Sequence, residues 1–171
     1  MCSMKVILYM AITPNGLIAK SNDDTNWISH KEWNSYSLAT REAGNLIIGH
    51  RTYNTLTKQP EFSEFKDIKI VVVATQPVNL ETEKHSVAAS PKAALDLFAS
   101  EDKIIVAGGG SLNASFLKEN LIDEIYLDIE PIIFGKGIQI FHDKDFECKL
   151  KFIDLKNISD NEIQLHYQVL K

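Results

Sequence analysis

The chain has 171 residues, 44% apolar and 24% charged, with a formal net charge of −5 at pH 7. Those totals suit a single domain, 1–171, with a real core, and exclude a disordered chain or one that binds nucleic acid through a broad basic field. No apolar stretch reaches about 18 residues and no basic segment followed by an apolar run opens the chain, so the expectation is a cytoplasmic protein with no membrane span.

Lys5 to Ile12 is a continuous apolar run, the pattern of a strand buried on both faces. Thr13-Pro14-Asn15-Gly16 follows as a turn, because Pro presets φ and Asn-Gly tolerates φ > 0. Leu17 to Ala19 is apolar again, and Lys20 to Asn26 reads as an exposed loop. Ser29 to Ala43 is predicted as a helix, with capping-box spacing between Ser29 and Glu32. Asn45 to Gly49 is a second buried strand, and His50-Arg51-Thr52-Tyr53 opens a short helix behind it. Gln59 to Asp67 reads as a polar loop, Ile68 to Ala74 as a strand and Ser86 to Ala89 as a short one. Ser90-Pro91 starts a helix to Phe98, with Pro at its first position.

Lys103 to Ala107 is the next buried strand, and Ser111 to Glu119 the next amphipathic helix. Between them Gly108, Gly109 and Gly110 leave a turn without side chains, where a ligand can lie against bare backbone. Ser111 is read as the N-cap, and the start of the helix as a place for an anion. The same three glycines also serve a purely structural purpose, a tight turn with close helix–sheet packing. Leu121 to Glu130 is apolar with polar interruptions, Gly135-Lys-Gly137 is read as a flexible loop, and His142 to Asp145 as a hydrated turn. Cys148–Lys156 and Glu162–Leu170 alternate by two, which predicts an antiparallel hairpin.

The fold expected is α/β: a three-layer αβα structure with a mainly parallel central sheet closed by a C-terminal antiparallel hairpin. In such a sheet the ligand site lies beyond the carboxyl ends of the strands. Gly49, Thr75-Gln76 and Gly108–Gly110 all fall at such ends, which suits a long phosphorylated ligand. The five His show no ligand spacing, so no metal is expected, and Cys2 and Cys148 read as reduced thiols, Cys2 at a loose terminus.

Several stretches, in order, resemble the dihydrofolate reductase superfamily, and within it the reductase domain of bacterial riboflavin biosynthesis. They are Ala11-Ile-Thr-Pro-Asn-Gly-Leu-Ile-Ala19, Asn26-Trp-Ile-Ser29, Leu46-Ile-Ile-Gly-His-Arg-Thr-Tyr53, Ile104-Ile-Val-Ala-Gly-Gly-Gly-Ser111, Leu121-Ile-Asp-Glu-Ile125 and Pro131-Ile-Ile-Phe-Gly-Lys-Gly137. The resemblance implies a homodimeric, NADPH-dependent reductase of a small heterocycle, typified by 5-amino-6-(5-phosphoribosylamino)uracil. It implies that Gly108, Gly109, Gly110 and Ser111 line the pyrophosphate and nicotinamide side. Gly49, His50, Arg51 and Thr52 would hold phosphates, Thr75 and Gln76 flank the adenosine, Thr13 and Ile18 approach the nicotinamide, and Trp27, Ser29 and Glu32 face the substrate.

Glu32 stands five residues after Trp27, as the active-site acid of dihydrofolate reductases does, and two roles stay open for it: helix cap or proton donor. Ser29 is likewise N-cap or substrate contact, and Trp27 core or lid. His50 stands where dihydrofolate reductases carry Arg, and no Arg precedes Ile68–Ala74 to grip a folate tail. The loop Thr57–Lys66 lacks the Arg-Asp-Pro-rich segment of the riboflavin-type enzymes. Dihydrofolate reductase and a non-catalytic NADP-binding protein are the alternatives.

Overall fold

The computed structural model describes residues 4–142 and 145–171. Cys2 and the middle of the expected turn at 142–145 lie outside the described residues. Six parallel strands form the bulk of one sheet: β1 (Lys5–Ile12), β3 (Asn45–Gly49), β4 (Lys69–Val73), β5 (His85–Ala88), β6 (Lys103–Val106) and β7 (Glu124–Ile129). The hairpin β9 (Lys149–Asn157) and β10 (Ile163–Leu170) completes it, β10 running antiparallel to β7. The eight strands lie in the order β5-β4-β3-β6-β1-β7-β10-β9. A separate pair is formed by β2 (Leu17–Ala19) and β8 (Ile138–Gln139).

Alternation along the strands builds two cores. Ile7, Tyr9, Leu46, Ile48, Ile70 and Val72 face α1 (His30–Ala43), α2 (His50–Leu56) and a 3-10 helix (Pro60–Phe65). Val6, Leu8, Ile47, Val71, Ile104 and Val106 face α3 (Pro91–Asp96) and α4 (Gly110–Lys118). Strands covered on both faces need apolar residues at every position, which is why these runs are unbroken and β-branched. The expected αβα architecture with its closing hairpin is the one observed. It is the dihydrofolate reductase-like fold.

Three local expectations change. Gln59–Asp67 is not a plain polar loop: Pro60–Phe65 is the 3-10 helix, and it buries Phe62 and Phe65, whose spacing of three matches one turn of that helix. Ser111 does not cap α4: Gly109 is the N-cap, and the helix begins one residue earlier, at Gly110. The stretch around Gly137 is packed rather than loose, since a Cβ there would overlap the Ala19 carbonyl oxygen. The β8 segment is held against α4 by the Asn113 side-chain amide, which donates to Ile140 O at 3.0 Å, and by the His142 N–H, which donates to Gly110 O at 3.2 Å.

A Cβ at Gly110 would overlap the Gln139 carbonyl oxygen and press on His142 Cβ at 3.2 Å. Gly110→Ala is expected to lower the unfolding free energy by about 1–3 kcal/mol. The readout is a lower urea midpoint at constant m-value; an unchanged midpoint would mean that the two segments are not in close contact.

Candidate active site

A cleft of about 950 Å³ opens beyond the carboxyl ends of β1, β3, β4 and β6. That is at the upper end of small-molecule sites, about 300–1,000 Å³. One end is lined by Thr75 and Gln76 after β4 and by Ser90 and Pro91 at the start of α3. The other is lined by Glu32, Trp33 and Tyr36 of α1 and by Leu56, Gln59 and Glu61 around the end of α2 and the 3-10 helix. Gly49 and Gly108–Gly110 lie on its wall as bare backbone. Gly108 has φ +88°, a conformation that favours glycine, and the Gly108–Gly109 peptide is cis. The Gly49 N–H donates to Gly108 O at 2.7 Å, joining the two glycine turns across the β3–β6 ladder.

Of the residues expected along a cofactor, Ile18, Gly49, His50, Arg51, Thr52, Thr75, Gln76 and Gly108–Ser111 all line this cleft. Thr13 does not. It is fully buried, its hydroxyl donating to Asn15 Oδ1 at 2.8 Å and accepting the Leu17 N–H at 2.9 Å, so it shapes the turn that carries Ile18. Arg51 is paired: its Nη2 lies 2.6 Å and its Nε 2.7 Å from Asp23 Oδ2, and Asp23 also lines the cleft.

Of the three residues expected to face substrate, Ser29 and Glu32 line the cleft and Trp27 does not. The Trp27 indole N–H donates to Asp24 O at 3.2 Å, and its ring meets Phe134 edge-on at 5.5 Å. Ser29 is the N-cap of α1, its hydroxyl accepting the Glu32 N–H at 3.0 Å. The second half of a capping box is absent, because the Ser29 N–H donates to Glu130 Oε1 at 2.8 Å and not to Glu32. That disposes of the cap reading for the Glu32 side chain, which is 3% exposed at the edge of the cleft.

Burial, and then the charges of Asp128, Glu130 and Glu162, push the Glu32 carboxyl well above the usual carboxylate range. Asp128 is itself pushed up to about 6 by burial, against the hydrogen bonds it accepts from Tyr9 OH at 2.6 Å and Gln164 Nε2 at 2.8 Å. Tyr9 OH accepts in turn from Gln164 Nε2 at 2.8 Å and meets Ser35 Oγ at 2.7 Å. Burial raises Glu130 although the Ser29 N–H works against it. Burial acts the same way on Glu162, but the polar groups of Ser159, Ser29 and Glu130 outweigh it and hold that carboxyl low. Within this pair Glu130 holds its proton the more tightly of the two.

Asp128, Glu130, Glu162, Tyr9 and Gln164 were invisible to a reading by sequence neighbourhood, because they come from β1, from β7 and its end, and from β10 and the residue before it. One signal was present: Asp128 and Glu130 place two acids, two residues apart, at and just beyond the carboxyl end of β7. Among the described residues no group of three or more His, Cys, Asp or Glu is arranged to hold a metal ion. Among them, too, no helix is long and apolar enough to cross a membrane.

A parallel αβα sheet with a glycine-walled cleft across its strand ends, on a dihydrofolate reductase-like fold, defines the class of protein. The chain belongs to the RibD C-terminal domain family, whose model matches residues 4–164. A protein of Bacillus subtilis (strain 168), the uncharacterized YwjB, is 28% identical over 169 residues, spanning 95% of this chain and 97% of YwjB. A pyrimidine reductase-like protein of Corynebacterium diphtheriae has the same fold, with a TM-score of 0.77 at 14% identity over 99% of this chain and 93% of that one. The Thermotoga maritima diaminohydroxyphosphoribosylaminopyrimidine deaminase/5-amino-6-(5-phosphoribosylamino)uracil reductase superposes with a TM-score of 0.73 at 18% identity. That match takes in 98% of this chain but 57% of that protein.

Because the folded state holds the Glu32 proton more tightly than the unfolded chain does, stability falls as pH rises from the ordinary glutamate range toward the raised folded value. Glu32→Gln cannot ionise and escapes that loss. Thermal melts are expected to show its Tm, relative to the parent protein, more favourable at pH 8 than at pH 5. An equal difference at both pH values would put Glu32 in contact with solvent.

Proposed function

We propose that the protein is an NADPH-dependent reductase. It transfers hydride to a small heterocycle, in the manner of 5-amino-6-(5-phosphoribosylamino)uracil reductase or a relative of it. The observation that carries this reading is the cleft itself, with bare backbone at the ends of β3 and β6 and one buried carboxyl, Glu32, at the opposite end. The glycine walls fit a pyrophosphate, because Gly49 and Gly108–Gly110 present backbone and no side chain to the space. Arg51 would hold the 2′-phosphate once it exchanges Asp23 for it, His50 and Thr52 the neighbouring phosphates, and Thr75 and Gln76 the adenosine. Bound there, the cofactor supplies the hydride.

The protein's own part is placement and one proton. Tyr9, Ile18, Ala19 and Ile28 add apolar and aromatic surface to the lining of the cleft. Holding donor and acceptor carbons in register contributes about 7–11 kcal/mol toward the barrier. Glu32, kept protonated by its surroundings, gives that proton to the substrate atom that gains charge as hydride arrives, a contribution of about 10²–10⁴ in rate. The hairpin supports a homodimer: every residue of β9 is exposed, and among them Phe152 is 56% and Leu155 49% exposed.

Fluorescence titration is expected to show tight NADPH and weak NADH binding. Arg51→Ala should remove about 10–100-fold of that preference, the worth of a hydrogen bond to a charged group. Binding of neither nucleotide would overturn the reductase reading.

A further inference from the structure

The charge around the cleft is divided between its two ends. Arg51 is the one Arg or Lys that lines it among the described residues, and it stands beside the glycine walls, already paired with Asp23. The opposite end carries Glu32 and Glu61 on its lining. Behind Glu32 stand Asp128, Glu130 and Glu162, all close enough to bear on its proton. Lys31 and Lys156 bear on Glu162 and Asp128, and neither lines the cleft.

This end is also rigidly framed. Glu64 of the 3-10 helix accepts from Ser37 Oγ at 2.5 Å and from the Trp33 indole N–H at 3.3 Å, tying that helix to α1. Trp33 and Tyr36 meet edge-on at 5.7 Å, and Phe65 packs against both. The space is therefore bounded by flat aromatic side chains and by acids. Aromatic faces suit a planar ring. The acids set its charge: a phosphate brought beside Glu61, with Asp128 and Glu162 behind Glu32, meets like charge, and the one Arg or Lys of the lining among the described residues, Arg51, is already paired with Asp23.

Resting on the reductase reading above, we infer that the substrate taken between α1 and the 3-10 helix is a planar heterocycle without a phosphate group, neutral or cationic. Glu61 is the residue that enforces this from the rim, being half-buried on the first turn of the 3-10 helix and facing the cleft. It acts on choice of substrate and takes no part in proton transfer.

The test uses the NADPH-loaded protein and two matched pairs: 5-amino-6-(ribosylamino)uracil and riboflavin, each beside its own 5′-phosphate. Binding is followed by the backbone amide NMR signals of Glu32 and Glu61, and turnover by NADPH oxidation. The phosphate-free member of at least one pair is expected to shift both signals, and to bind or react at least tenfold better than its phosphate ester. Glu61→Arg is expected to move that ratio at least tenfold toward the ester, while NADPH affinity stays as it was. An ester that matches or beats its phosphate-free partner overturns the inference and leaves the reductase reading standing, provided NADPH is oxidised. So does a set of compounds none of which shifts Glu32 or Glu61. If NADPH does not bind and the phosphate-free rings still win, the reductase reading falls and the charge selection stands.

Discussion

The N–H of Ser29 donates to Glu130, a carboxylate beyond the far end of β7, and so closes the start of α1 from a distance of 101 residues in sequence. Local chemistry offered another solution: Glu32 has the spacing to reach back to that N–H itself. Because Glu130 takes the bond, Glu32 is released from helix duty and turns its carboxyl toward the cleft. Its position, burial and company all follow. β7 must pair with β1 for Glu130 to arrive, and β10 must pair with β7 for Glu162 and Gln164 to surround it.

The acids gathered there are satisfied unequally. Asp128 has a partner on each oxygen, Tyr9 on one and Gln164 on the other, and is a settled structural group. Glu130 has the helix N–H and a neighbouring acid. Glu32 is the member turned toward the open cleft. Glu162 also keeps a buried oxygen, Oε2, without a partner among the described residues, but it does not line the cleft, so Glu32 is the acid of this network placed to meet a ligand. The aromatic frame made by Trp33, Tyr36 and Phe65 and the glycine walls at the other end then sort the cleft into a ring-shaped space and a backbone-lined one.

The strands and the layer order were legible because a parallel sheet covered on both faces writes itself as unbroken β-branched runs. The alternating hairpin was legible for the complementary reason. The glycine-walled side of the site could also be read, since its residues cluster at strand ends in sequence. The 3-10 helix was missed because Pro60-Glu-Phe-Ser-Glu-Phe65 is polar on balance, and only the i, i+3 pair of Phe betrays its buried side. Thr13 and Trp27 were placed at the cleft by resemblance, whereas their own hydrogen bonds hold them in the turn and the loop beside it. The carboxyl cluster was out of reach because its members meet only through strand order: β7 lies beside β1 and β10 beside β7 in space, and both follow β1 by more than a hundred residues in the chain.

That same strand order fixes when, during synthesis, a competent cleft can exist. β1 leaves the ribosome first but its two neighbours are residues 103–106 and 124–129. Until they emerge, β1 has no neighbour in the sheet, α1 lacks β6 to pack against, and the turn at Gly49 has no partner across the ladder. Contacts of such long sequence separation come late and slowly in folding. A nascent chain stopped short of β10 would hold the glycine wall without Gln164 or Glu162, a nucleotide pocket still lacking part of its acid end.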